Sequence, residues 1–162
     1  MLAIVHLDEQ GRACVFTQRP VHLVVDLQGY LSFGSFTATP HTRLLDTRSG
    51  AKPSAGSQTV LHGQAGATGV VSLTATESSA PGYVQVLPCG APPGTSSNLN
   101  IDAVGQTIAG VAFVHFDGSG TACLFTQAGT HLVADLQGYL AAGAFDDIAD
   151  VRVLDTRIRN AV

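Results

Sequence analysis

Lysine, glutamate and tryptophan are nearly missing from this chain: Lys52 is the single lysine, Glu9 and Glu77 are the two glutamates, and there is no Trp. Charged residues make up 12% of the sequence, about half of the ~25% usual for globular proteins. That scarcity excludes a charged disordered tail and the Lys/Glu-rich surface of a helical bundle. The 8 basic and 12 acidic residues give a net charge of -4 and form no Lys/Arg cluster, so nucleic acid is not an expected partner. No run of about 18 apolar residues occurs, which removes a membrane-spanning helix and with it a membrane as expected partner. The opening residues, Met1 to Glu9, carry no basic n-region and are not a secretory signal. No C-x2-C or H-x3-H spacing exists, so zinc is not expected. No G-x-S-x-G elbow exists either, and no stretch shows a sustained helical period with caps.

What is present is a core-forming sequence, 45% hydrophobic, with 18 Gly over 162 residues. It is also a repeat. Ala3 to Arg48 matches Ala112 to Arg157 at a constant offset of 109 without a gap, with 26 of the 46 positions identical. Fixed-period similarity of this kind marks tandem arrays. On that reading residues 1–37 are the C-terminal part of a preceding repeat, 38–145 a complete module and 146–162 the start of the next. The targeting signal is then expected upstream, in the parent protein. The alternative is one pseudo-symmetric domain spanning 1–162.

Short β-branched runs broken by Gly, Pro, Ser and Asn clusters predict strands at 43–46, 58–62, 69–75, 83–87, 98–101, 108–116, 122–126 and 131–140. Segments 78–82, 90–94 and 117–120 separate them, the last a hairpin turn rich in glycine. Eight strands at this spacing predict an all-β fold, an antiparallel β-sandwich of Ig-like or jelly-roll-like kind, with a small β-barrel as alternative. Alternation along the last strand places Leu132, Ala134 and Leu136 in the core and His131, Val133 and Asp135 on the other face.

Three cysteines occur, Cys14, Cys89 and Cys123. Cys14 and Cys123 are equivalent positions of successive repeats, so a complete unit owns the pair Cys89 and Cys123. An even count in a lysine-poor β-chain favours a disulfide and an oxidising compartment; packing as small buried thiols is the alternative.

The motif order Arg43-Leu44-Leu45-Asp46-Thr47-Arg48, Pro81-Gly82-Tyr83, Pro88-Cys89-Gly90, Ser97-Asn98-Leu99-Asn100, Gly105-Gln106-Thr107, Ala122-Cys123 and Thr130-His131-Leu132-Val133 with Asp135, Gly138 and Tyr139 resembles a tandem β-repeat of secreted and cell-surface actinobacterial proteins. The resemblance covers essentially the whole chain. It implies an accessory module found in tandem or beside secreted hydrolase and protease domains. Ser72-Leu73 and Gly110 depart from it, standing where such repeats often carry Leu-Asn and Asn.

Candidate functional residues follow from chemistry. Asp46 and Arg48 project to one side if the strand continues, and would either turn the chain and pair with carboxylates such as Asp26 or Asp135 or hydrogen-bond sugar hydroxyls. Asn98 and Asn100, two apart, share a face. His131 and Asp135 also share one, but at ~3.3 Å per residue their Cα atoms lie about 13 Å apart, so catalysis needs a cross-strand partner for His131 or His115. The bland reading of these histidines is a polar face, stacked on neighbours such as Tyr139. Calcium would require six to eight converging oxygens; Asp8, Asp102 and Asp117 are scattered, and the cluster Asp146, Asp147 and Asp150 has no acidic counterpart at Thr37, Ala38 and His41. No cofactor and no metal are therefore expected. The sequence reads as a non-catalytic extracellular spacer, adhesion or accessory module. Its alternatives are a carbohydrate-binding module facing cell-wall or extracellular polysaccharide, and a hydrolase with a cross-strand His/Asp pair. The unpaired strands of 3–31 are expected to join the complete unit or another chain.

Overall fold

The computed structural model describes residues 4–5, 7–20, 22–23, 25–27 and 29–146, apart from the side chain of His41. Eight strands form among the described residues: β1 (Phe36–Asp46), β2 (Ser57–His62), β3 (Thr68–Thr76), β4 (Gly82–Leu87), β5 (Leu99–Ile101), β6 (Ile108–His115), β7 (Thr121–Thr126) and β8 (His131–Leu140). One turn of 3-10 helix, Thr47–Ser49, follows β1. All eight predicted strands are present within a residue or so, except that β1 begins at Phe36 rather than at 43 and so runs across the 37/38 junction.

Two four-stranded antiparallel sheets are stacked, with orders β1-β8-β3-β6 and β2-β7-β4-β5. They stay separate sheets, which decides between the two expected architectures: the fold is a sandwich, and the barrel alternative does not hold. Consecutive strands mostly cross from one sheet to the other, because each strand is apolar on one face only and both faces of the gap must be lined.

The core lies between the sheets. Val71, Leu73 and Ala75 of β3, Ala112 and Val114 of β6, and Leu132, Ala134 and Leu136 of β8 meet Leu61, Val84, Leu99, Ile101, Ala122 and Leu124 of the second sheet. Each fully buried Val or Leu contributes about 1.5–3 kcal/mol of transfer free energy. The alternation read from the sequence of β8 holds as far as Leu136. There a bulge intervenes, since Val70 pairs with Gly138 but Val71 pairs with Leu136, leaving Gln137 as the extra residue. A bulge reverses the alternation beyond it, and Tyr139 turns toward the core, where its ring meets Phe116 edge-on at 6.5 Å. Gly138 is required at this crossing: a Cβ there would run into the carbonyl oxygen of Thr37 and the ring of Phe36.

The second sheet is covered on its outer side by the long connection 88–98. Beneath it Cys123 and Phe125 of β7 pack with Leu87, Tyr83 and Ala91. Gln58 clamps the connection, its Nε2 donating to Ala91 O at 2.7 Å and its Oε1 accepting from Gly90 N at 2.9 Å. The buried Gln85 holds the other end, accepting from Gly94 N and donating to Ser96 Oγ, both at 2.9 Å. Cys89, just after β4, is bonded to Cys123 of β7, with Cα atoms 4.9 Å apart and a sequence separation of 34. The expected pair is therefore the observed one, and Cys14 is free and exposed.

Candidate functional site

The Arg43-to-Arg48 motif builds a compact polar cluster where β1 meets β8. Arg43 and Asp135 are register partners across the β1–β8 ladder, which brings the Arg43 Nε onto Asp135 Oδ1 and leaves its Nη1 for Asp46 Oδ2. The strand stops at Asp46, whose side chain caps the helical turn by accepting from Arg48 N at 3.1 Å. Capping of this sort is the ordinary use of Asp before a helical turn. Arg48 then folds back on the same carboxylate, Nε to Oδ1 at 2.9 Å and Nη2 to Oδ2 at 2.6 Å, a two-pronged contact.

The electrostatics follow from that geometry. Arg48 above all, with Arg43 behind it, holds the Asp46 carboxyl well below the usual carboxylate range. Asp135 raises Arg43, and Asp46 raises Arg48. The guanidinium groups remain about half exposed, at 46% and 51%, so water screens these attractions and each pair adds little to stability.

Thr47 and His131 complete the cluster. The β1–β8 ladder ends at Asp46 opposite Val133, and the Thr47 hydroxyl takes over where the backbone leaves off. It accepts from Leu132 N at 2.8 Å and donates to Leu132 O at 3.3 Å, with His131 Nδ1 3.2 Å away. The hydroxyl is thus engaged in closing a sheet edge.

The sequence-derived candidates do not all converge. Asp46, Arg48, His131 and Asp135 come together at the β1–β8 corner, but Arg48 grips Asp46, where the sequence had pointed to Asp26 or Asp135; Arg43 is the partner of Asp135. Tyr139 stands apart, turned to the core by the bulge, its phenol oxygen accepting from Gln64 N at 2.9 Å; it is no stacking platform for His131. Asn98 and Asn100 belong to the other sheet: Asn98 Oδ1 accepts from Val86 N at 2.7 Å and Asn100 Oδ1 from Ser97 Oγ at 2.8 Å. His115 lies on β6, with Nδ1 3.3 Å from Thr68 Oγ1, and β3 separates it from β8. Asp117 binds its own turn, accepting from the amides and hydroxyls of Ser119 and Thr121, and these donors hold it well below the usual range. Among the described residues no group of three or more His, Cys, Asp or Glu is placed to hold a metal ion; Asp147 and Asp150 lie outside the described residues.

Arg43 and the two clamping glutamines escaped sequence reasoning. Arg43 carried a usable signal, standing in the same motif as Asp46 with an acid on the strand that β1 would pair with. Gln58 and Gln85 carried none, since their partners are backbone groups of a loop. A hollow of about 670 Å³ at the opposite end of β8, bordered by Gln64, Thr68, His115, Leu140 and Phe145, contains none of the residues of the β1–β8 corner.

No protein-family model, curated protein or solved structure matches the chain.

Proposed function

We propose that this chain is a non-catalytic accessory module of a secreted or cell-surface protein, acting as a spacer or adhesion unit among other domains. The observation that carries the reading is the internal pairing of its most motif-like residues. Asp46 is held by two arginines, Asp135 by Arg43, and the Thr47 hydroxyl by Leu132, so the chemistry of the motif is spent on bolting β1 to β8. A disulfide that closes a loop across the second sheet supports an oxidising compartment. The resemblance to the actinobacterial repeat points the same way.

The second reading, a carbohydrate-binding module, draws on the half-exposed guanidinium of Arg48 and the exposed Asn98 and Asn100. Its difficulty is geometric, because the arginine follows β1 of the first sheet while the asparagines sit at β5 of the second. The third, a hydrolase, would rest on His131 beside Thr47. Incubation with insoluble cellulose, chitin and cell-wall polysaccharide, together with a panel of simple esters, separates the three. A spacer is retained by none of them and turns over none. Retention lost in Arg48→Ala or Asn98→Ala would replace the spacer with a sugar binder, and ester turnover abolished by His131→Ala or Asp135→Ala would replace it with an enzyme.

A further inference from the structure

Residues 13–31 repeat the sequence of β7 and β8, 122–140, with 14 of 19 positions identical. In the sandwich that sequence fills the two central slots, β7 between β2 and β4 and β8 between β1 and β3. In the N-terminal copy no described residue lies in a strand. Phe16, Val25 and Leu27 are exposed at 88%, 78% and 69%, while their counterparts Phe125, Ala134 and Leu136 are at 8%, 0% and 4%.

The turns that bracket these strands are nevertheless formed alike in both copies. Asp8 Oδ1 accepts from Gln10 N and Arg12 N, as Asp117 Oδ1 does from Ser119 N and Thr121 N. After the strands, Ser35 N donates to Ser32 O at 3.0 Å and Ala144 N to Ala141 O at 3.0 Å, with Gly34 and Gly143 at φ 78° and 75°. The turns that bracket the N-terminal copy are therefore formed, while none of its described residues is paired into a sheet.

Its own scaffold is a poor host at three of the five differing positions. Arg19 stands for Ala128, which is 4% exposed and whose Cβ lies 3.2 Å from where a Gly82 side chain would begin. Pro20 stands for Gly129, where a Cβ would meet Ser79 Oγ at 3.1 Å and Pro53 O at 3.4 Å. Val25 adds two methyl groups where Ala134 is fully buried, and overfilling a packed core is destabilising.

We propose that residues 13–31 are a donor strand pair for the scaffold of another unit of this fold, and that Arg19, Pro20 and Val25 keep them off the scaffold of their own chain. The recipient is a unit with the same strand order and a cysteine at the position of Cys89, with room where this scaffold sets Gly82 and Ser79 against its own β7–β8 loop. Cys14 then stands where Cys123 stands here. This goes beyond the accessory-module reading and does not depend on it.

The test uses the full chain and the triple variant Arg19→Ala, Pro20→Gly, Val25→Ala, each reduced, unfolded and refolded with glutathione disulfide. That oxidant takes two electrons and two protons from a thiol pair and leaves as two glutathione thiols. The native chain is expected to return as a monomer with Cys89 bonded to Cys123 and Cys14 free. The variant is expected to carry a Cys14–Cys89 bond in a tenth or more of its molecules, with amide-exchange protection over 22–31. The variant keeps its own β7 and β8 and folds either way. A variant map identical to the native one, or Cys14–Cys14 dimers in place of Cys14–Cys89, would overturn the donor role; Cys14–Cys89 dimers of the native chain would overturn the exclusion.

Discussion

Residues 8–31 and 117–140 are nearly the same text in two settings. Both make the Asp-anchored hairpin turn, and both make the four-residue turn that closes the segment. One of them nonetheless forms two central strands and the other forms none among its described residues. The turns depend on contacts between residues two to four apart, which the segment carries with it. The strands depend on partners far away in sequence, from 36 residues for Leu87 with Cys123 to 104 for Phe36 with Leu140. Strand propensity is thus a statement about what a segment can pair with, and Asp-Leu-Gln-Gly-Tyr-Leu is a strand at 135–140, where a scaffold receives it.

The largest test of that asymmetry is the cysteine pair. Cys123→Ser opens a loop of 34 residues and is expected to lower the unfolding free energy by about 4 kcal/mol, whereas Cys14→Ser leaves it unchanged; urea denaturation of the two variants measures both. Next comes a matched pair in the core. Leu132→Ala, at a position 1% exposed, should cost about 2–5 kcal/mol, and Leu23→Ala, at its exposed counterpart, less than about 0.5 kcal/mol. Equal losses in the two would mean that the N-terminal copy is packed in solution. Smaller again is Thr47→Val, which strips the Leu132 amide of its partner and should cost about 1–3 kcal/mol, read as a drop in melting temperature with normal secondary structure.

The smallest effect is pH dependence. Asp46 and Asp117 titrate lower folded than unfolded, through the Arg48 guanidinium in the first case and the Ser119 and Thr121 donors in the second. Their stabilisation is complete above the ordinary carboxylate pKa near 4 and is lost as the pH falls toward the folded values. Asp46→Asn with Asp117→Asn should flatten the stability profile below about pH 4, while Asp8→Asn, in the N-terminal copy, should leave its slope alone, since the Arg12 amide that lowers Asp8 lies within the same local turn.

Much of the fold was legible because its signals are local or repetitive. Turn-rich breaks marked out eight strands, alternation found the core face of β8, and the repeat arithmetic singled out Cys89 and Cys123. The first half of β1 was not legible. Thr37-Ala38-Thr39-Pro40-His41 has no strand pattern, and Pro40 lacks a ladder donor; it is accommodated because it falls in the irregular stretch between Ala38 and Thr42, where the register shifts. Tyr139 was misjudged for a related reason, since simple alternation cannot foresee a bulge at Gln137. At the candidate site the motif was visible, but the choice of partners was not. Which carboxylate each arginine takes depends on where the strand ends and which residue of β8 lies opposite.

The position of β8 in its sheet also bears on how the protein comes into being. The slot between β1 and β3 is filled by the last strand of the unit to be synthesised, so the first sheet stays divided while roughly 100 residues pass through the ribosome, about 5–20 s at ordinary rates. Sheets assembled from such distant segments form in milliseconds to seconds. Assembly therefore waits on translation, and the half-built sheet spends that interval with two open edges facing whatever strand is nearest.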